Sequence, residues 1–337
     1  MYLTSKKILH VVNPNGLGHL RRSIFIWNNL KICNADVTII IDHSQKFFLK
    51  FFKPKSYITF EFFDFSGMIA LPNLKGEYFS DNYFKFHENF YERFKQTVDL
   101  VISDNTLLDF KKISKNYIVI GSFFWHDLIS ENSTYNKVYL NELKLLESHK
   151  PNIYGIKNFI SGTLGTYENT HEVGWLIDRK KINKSKNTEI GILFSGGLGD
   201  LELSYFDNIL NLIDKKLPDA TIYCSHRYSF IKNSKPFDFS EDWSKINFVI
   251  ARPGIGTISD CIENMVPIIS IGEKTNLEIS HNAKSISNLE IGFDYVNKTF
   301  DLDFINALDE INYQKIDSNG LSLISEIILN IIYKQNL

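Results

Sequence analysis

Cysteine is scarce in this 337-residue chain: only Cys33, Cys224 and Cys261 occur. They are far apart and odd in number, which excludes a disulfide framework and paired-thiol metal sites, and they are expected to be buried thiols in a reducing compartment. Excess charge is also missing. Lys and Arg number 37 against 39 Asp and Glu, for a formal net charge of −2, so no overall basic field argues for nucleic acid as a partner. No apolar run reaches the ~20 residues of a membrane span. Lys6 and Lys7 run straight into Ile8-Leu9-His10-Val11-Val12, which leaves no room for a cleavable leader, so a soluble cytoplasmic protein is expected. No acidic pair reads as a metal ligand set, no repeat of solenoid length occurs and no tract is of low complexity.

What is abundant is aromatic: 27 Phe and 16 Tyr within a hydrophobic share of 44 %. The length exceeds one typical core and fits two domains of roughly 150 residues each. Ile8 to Val12 reads as a strand, Asn13-Pro14-Asn15-Gly16-Leu17-Gly18 as the turn after it, and the residues from Leu20 as a helix, with His19 near its start. Such a unit opens a doubly wound α/β domain, whose ligands gather at the carboxyl ends of its strands. His19 is then either a helix-capping residue or a base at a strand end, while Arg21 and Arg22 read as a solvated helix face or as contacts for an anion. Val98 to Ser103 forms a further strand ending in Asp104, which either caps a helix or orients His19, or itself serves as the base.

Between these strands, His43 to Pro54 shows Phe47, Phe48, Phe51 and Phe52 interleaved with Lys46, Lys50 and Lys53. This reads as an amphipathic basic-aromatic helix, packed on the sheet or touching a membrane surface through Phe47–Phe52. A second aromatic segment, from Tyr78 to Phe94, is helical in its latter half, and it is expected along the wall of a binding site, as is the loop Gly121 to His126 with Trp125. His126 reads as structural. The residues from 127 to 150 read as helix, 152 to 160 as the approach to the second half, and 165 to 188 as the passage between domains.

The second half repeats the strand, glycine turn, helix pattern twice. Glu189 to Phe194 leads into Ser195-Gly196-Gly197-Leu198-Gly199, and Phe248 to Ile250 leads into Arg252-Pro253-Gly254-Ile255-Gly256-Thr257, with a helix opening near Gly256. Backbone N–H groups and the positive helix end make an anion site of each such turn. Asp260, one turn into the helix, would suit ribose hydroxyls instead. Pro267 to Ile271 reads as the next strand, 294 to 296 as a link, and Leu321 to Tyr333 as an amphipathic helix.

The run from Asn247 to Gly292, with Gly254-x-x-Thr257, Asp260, Pro267 and Asn282-Ala283, resembles the donor-binding segment of GT-B glycosyltransferases, in particular the peptidoglycan lipid-intermediate N-acetylglucosaminyltransferase family. It departs from that pattern at Asn264-Met265-Val266-Pro267, which lacks a glycine before the proline, and at Ile279, where glutamine is common. Gly16-x-Gly18-His19-x-x-Arg22-Ser23 resembles the glycine loop of the same families, and is similar to the nucleotide-sugar hydrolase of pseudaminic acid synthesis. The resemblance implies an α/β fold of GT-B architecture, two Rossmann-like domains facing a central cleft. Residues 1–170 would bind an acceptor, 171–320 a donor, and 321–337 would form a helix crossing back to the first domain. It implies an inverting, metal-independent glycosyltransferase with no cofactor. A nucleotide-diphosphate sugar, UDP-linked by preference, would lie against Ser195, Gly196, Gly197, Arg252, Gly254, Gly256 and Thr257, with Asp260 on the ribose and Glu278 and Asn282 on the ribose or sugar. A saccharide, lipid-linked or protein-linked acceptor would meet Gly16, Gly18 and Trp125, with His19 or Asp104 as the base. A nucleotide-sugar hydrolase or epimerase, or a nucleotide-sugar-binding protein, are the alternatives on the same fold.

Overall fold

The computed structural model describes residues 5–14, 17–30, 35–65, 83–95, 98–128, 136–177, 190–195, 203–224, 228–237, 243–297, 313 and 316–333. The chain divides into two compact units, one of residues 1–176 and 318–337, the other of residues 177–317. Each is built on a parallel sheet whose inner strands are largely apolar, as sheets covered on both faces require.

In the first unit the strands are β1 (Lys6–Val12), β2 (Ala35–Asp42), β3 (Ile58–Phe63), β4 (Leu100–Asp104), β5 (Tyr117–Ile120), β6 (Asn152–Ile156) and β7 (Thr170–Val173), in the spatial order β3-β2-β1-β4-β5-β6-β7. The order reverses between β1 and β4, where Val12 pairs with Asp104 in register, and such a reversal opens a crevice at the strands' carboxyl ends. One face is covered by α1 (Leu17–Asn29), α2 (Leu49–Phe52) and the C-terminal helix. The other takes α3 (Tyr83–Arg93), whose Phe86 and Phe90 pack with Phe94 on Phe63 and Phe65. This aromatic face is therefore core and does not line an acceptor side; Tyr78 and Phe79 lie outside the described residues. α4 (Asn136–His149) follows the loop after β5.

The second unit has β8 (Gly191–Ser195), β9 (Thr221–Cys224), β10 (Ser234–Pro236), β11 (Phe248–Ala251), β12 (Ile268–Ser270) and β13 (Gly292–Asp294), ordered β10-β9-β8-β11-β12-β13. Its reversal lies between β8 and β11, with Ser195 opposite Ala251. The helices are α5 (Leu203–Lys216), α6 (Ile255–Glu263) and α7 (Leu277–Asn288). Cys224 and Cys261 are buried free thiols, and Cys33 lies outside the described residues.

Three readings of the sequence are corrected here. The segment from His43 is a 3₁₀ turn to Phe48 followed by the single turn α2, ended by Lys53 at φ 43°. Asp42 and Gln45 close a reciprocal cap at its start, which satisfies the first N–H groups of the turn. Residues 152–156 and 170–173 are strands β6 and β7, and neither an approach nor a passage between domains. Thr170–Val173 is short and mostly polar, with only Val173 buried, so it carries little apolar signal of an edge strand. Residues 292–294 likewise form an edge strand, where a Cβ on Gly292 would strike the Ile268 carbonyl.

The last helix, α8 (Gly320–Tyr333), belongs to the first unit. Ile324, Ile328 and Ile332, one per turn, are buried in the cluster that holds Ile8, Leu20 and Trp27. Gly320 sits at its start because its Cα lies against the Gly174 carbonyl, with no room for a Cβ.

Candidate functional site

β1 and β4 end side by side, and the chain leaves β1 through Asn13 into α1. Asn13 Nδ2 donates to the Asn105 carbonyl at 3.0 Å and to Thr106 Oγ1 at 3.1 Å, tying the two strand ends together. His19 is the third residue of α1, and Arg22 and Ser23 follow at i+3 and i+4, so all three share one helix face. That face meets Asp104. His19 Nδ1 lies 2.5 Å from Asp104 Oδ1, Arg22 Nε donates to Oδ2 at 2.8 Å, and Arg22 Nη2 donates to Oδ1 at 2.5 Å. Arg22 Nη2 is also 3.3 Å from His19 Nδ1.

Asp104 is wholly buried and Arg22 is 8 % exposed. Burial alone would push the Asp104 carboxyl upward, but the Arg22 guanidinium, followed by the His19 imidazole, outweighs it and holds the group below the usual carboxylate range. A carboxylate held by Arg22 on both oxygens and by His19 on Oδ1 is an orienting group. No helix follows it: Asn105 turns at φ 51°, so Asp104 caps nothing. Nor does Arg22 lie on a solvated helix face, since its charge is spent on Asp104.

Behind this cluster runs a second chain of hydrogen bonds. Trp27 Nε1 donates to His10 Nδ1 at 2.8 Å, and His10 Nε2 lies 3.0 Å from Ser23 Oγ, which donates to the His19 carbonyl at 2.9 Å. An indole can only donate, so His10 Nδ1 is bare and Nε2 carries the hydrogen given to Ser23. Burial lowers the His10 pKa to about 4, against a smaller upward pull from Asp104. The roles of His10, Ser23 and Asn13 escaped the sequence reading, which had Arg22 on a solvated helix face or against an anion and not paired with Asp104. The signal for Arg22 and Ser23 was their spacing from His19; for His10 and Asn13 there was none, because their partners are distant in sequence.

Gly18 lies in α1 beside His19, and Gly16 lies outside the described residues. Trp125 is buried in the core of the sheet, with Nε1 donating to the Asn105 carbonyl at 2.9 Å, so it supports the strand end from beneath. His126 is structural: Glu142 Oε2 lies 2.9 Å from its Nδ1 and Thr163 Oγ1 2.9 Å from its Nε2.

In the second unit the strand end after β11 is made differently. Gly254 is the N-cap of α6 with no side-chain capping bond, and the helix's first turn holds no acid. A Cβ on Gly254 would meet nothing within 4 Å. Asn282 Nδ2, from α7, donates to the Pro253 carbonyl at 2.8 Å and fixes the turn, while its buried Oδ1 has no hydrogen-bond partner among the described residues. Arg252 Nη2 lies 3.4 Å from Glu273 Oε2, a residue the sequence reading passed over. Gly256, Thr257 and Asp260 are partly exposed on the first turns of α6, and Glu278 is partly exposed in the first turn of α7. Ser195 ends β8 next to this turn, whereas Gly196 and Gly197 lie outside the described residues. Asp301-Leu302-Asp303 is an acid pair at ligand spacing that the sequence reading missed; it too lies outside them.

No protein-family model and no curated protein matches the chain. Solved structures do. Phytolacca americana UGT2, complexed with UDP-2fluoro-glucose and pterostilbene, matches at a TM-score of 0.63 and 12 % identity over 98 % of this chain and 94 % of that one. The kitacinnamycin glycotransferase matches at 0.61 and 12 % over 98 % and 100 %. SsfS6 of Streptomyces sp. SF2575, complexed with thymidine diphosphate, matches at 0.56 and 11 % over 95 % and 99 %. The chain thus has the GT-B fold of nucleotide-sugar-dependent glycosyltransferases.

Proposed function

We propose that the protein is an inverting glycosyltransferase that moves a sugar from a nucleotide-diphosphate sugar to a hydroxyl acceptor. The observation that carries this reading is the His19–Asp104 pair at 2.5 Å, set at the reversal of the first sheet. Asp104 already accepts from Arg22 on both oxygens, which favours His19 over Asp104 as the base. In the transfer, the acceptor O–H gives its proton to His19 Nε2 and its oxygen bonds to the anomeric carbon from the face opposite the leaving group. The bond from that carbon to the diphosphate breaks, and its electron pair leaves on the phosphate oxygen. The N-terminus of α6, whose N-cap Gly254 supplies no side-chain capping bond, and the Arg252 guanidinium would hold the departing charge without a metal. Arg252, Gly254, Gly256 and Thr257, with Ser195, Gly196 and Gly197, would form the diphosphate pocket; Asp260, Glu278 and Asn282 would meet the ribose or sugar. Neighbours whose complexes contain UDP-L-rhamnose and quercetin support a nucleotide-sugar donor and a hydroxylated acceptor, with uridine as the first base to test.

For the acceptor we favour a saccharide, lipid-linked or protein-linked, in glycoconjugate synthesis in the cytoplasm. Among the described residues no helix is long and apolar enough to cross a membrane. Phe47 is 61 % and Phe51 39 % exposed, with Lys50 Nζ 3.8 Å and 4.9 Å from their ring centroids. This basic-aromatic patch suits a peripheral contact with anionic lipid.

The test is incubation of the pure protein with a panel of nucleotide sugars, with and without lipid or saccharide acceptors from cells, following free sugar and nucleotide separately by mass spectrometry. Product formed only with an acceptor is the expected result. Free sugar released at full rate without one would make the protein a hydrolase, and no turnover or nucleotide-induced thermal shift with any donor would overturn the reading.

A further inference from the structure

We infer that Arg22 is a positioning residue that supplies the positive charge Asp104 requires and so leaves His19 free to hold or give up a proton. This deepens the proposed function and rests on His19 being the base.

A buried carboxylate needs a cation or it loses its charge. Arg22 meets that need permanently, because a guanidinium does not titrate in a protein. Its fork takes Oδ2 through Nε and Oδ1 through Nη2, so the Asp104–Arg22 pair is neutral before His19 is counted. His19 then adds one hydrogen bond to Oδ1 at 2.5 Å. A bare Nδ1 at that distance would set lone pair against lone pair, so Nδ1 carries the hydrogen and the neutral ring leaves Nε2 bare as the acceptor of a proton. Among the described residues, the charged and titratable groups around this ring are Asp104 on β4 and Arg22 on α1, with His10 on β1 behind Ser23. Among the described residues the charges acting on Asp104 are Arg22 and His19, so without Arg22 the cation left to it there would be the His19 imidazolium, and the ring would be held charged.

The two states differ in a spectroscopic signature that loss of packing alone would not produce. Protein labelled with ¹⁵N-histidine is compared by long-range ¹H–¹⁵N correlation at about pH 8, above the ordinary imidazole range, with His19 assigned as the signal absent from His19→Gln. The wild type is expected to show a protonated Nδ1 and a bare Nε2. Arg22→Met is expected to show both nitrogens protonated, and Arg22→Lys, which restores charge but not the fork, to recover the wild-type pattern in part. Should Arg22→Met fail to fold by circular dichroism, Arg22→Gln, polar and uncharged, carries the same expectation. A wild-type His19 pattern in a folded, uncharged variant would overturn the inference, as would an Nε2-protonated ring in the wild type. The measurement needs no substrate, so a failure to turn over nucleotide sugars leaves it readable. Where turnover is found, Arg22→Met should lower kcat on the order of 10- to 100-fold and move the rate profile to higher pH, with nucleotide Kd unchanged.

Discussion

The two sheet reversals of this molecule are the same in topology and opposite in chemistry. At the first, between β1 and β4, side chains do everything: the buried Arg22, Asp104, Ser23 and His10 and the partly exposed His19 satisfy one another. At the second, between β8 and β11, the turn before α6 has an N-cap that gives no side-chain capping bond, a glycine with open space above it, and the Arg252 guanidinium. Moving a proton demands a side chain whose tautomer and direction are fixed, which takes several interlocked partners. Holding an anion demands bare backbone donors and room to approach them, which takes the removal of side chains. A parallel sheet offers both at the carboxyl ends of its strands, and local sequence selects between them.

This contrast is testable by treating the two ends alike. The largest expected effect is on turnover: His19→Ala should lower it on the order of 10²–10⁴-fold while leaving nucleotide Kd in the second unit nearly unchanged, as read by steady-state rates and calorimetry. Equal losses in both quantities would mean that the two ends are not independent.

Next comes stability. Asp104→Asn strands the buried Arg22 charge and should cost about 3–5 kcal/mol in denaturant unfolding. A cost below ~1 kcal/mol would show that Arg22 finds water instead.

A third expectation concerns pH. His10, with its pKa lowered to about 4 by burial, is neutral when folded and takes up a proton when unfolded. Its contribution is therefore complete above about pH 6.5 and is lost as pH falls toward about 4, on the order of 3 kcal/mol. His87, lowered to about 3 chiefly by burial, adds a component of the same sign. His10→Gln should flatten part of this slope in melts at successive pH values, and an unchanged slope would remove His10 from the account.

The smallest effect on folding is expected at the second reversal. Gly254→Ala places a methyl where nothing lies within 4 Å, at φ −71°, and should change stability by less than about 0.5 kcal/mol. It should nonetheless weaken nucleotide binding about tenfold, or ~1.4 kcal/mol. Undiminished affinity would move the anion away from this turn. Asp260→Asn should likewise weaken nucleoside binding without altering the melting temperature.

Much of this architecture was written locally. The apolar runs 8–12 and 248–250, broken by Gly or Pro and followed by helical spacing, determined the α/β class and the placing of His19 and Gly254 at strand ends, and the run ending in Asp104 placed that residue likewise. A strand buried on both faces must be apolar throughout, and that is visible without neighbours. The edge strands β7 and β13 were not visible, because an edge needs only one partner and little apolar surface. The partners of Asp104 were decided by tertiary structure. Asp104 lies 82 residues from Arg22 and 85 from His19, and only the register that sets Val12 against Asp104 brings them together. The same register turned Arg22 from a surface cation into a buried one. The sequence alone determined which residues could carry charge at the strand ends; the fold decided which of those charges would be spent on each other, since pairing depends on distance and burial, and neither is a local property of the chain.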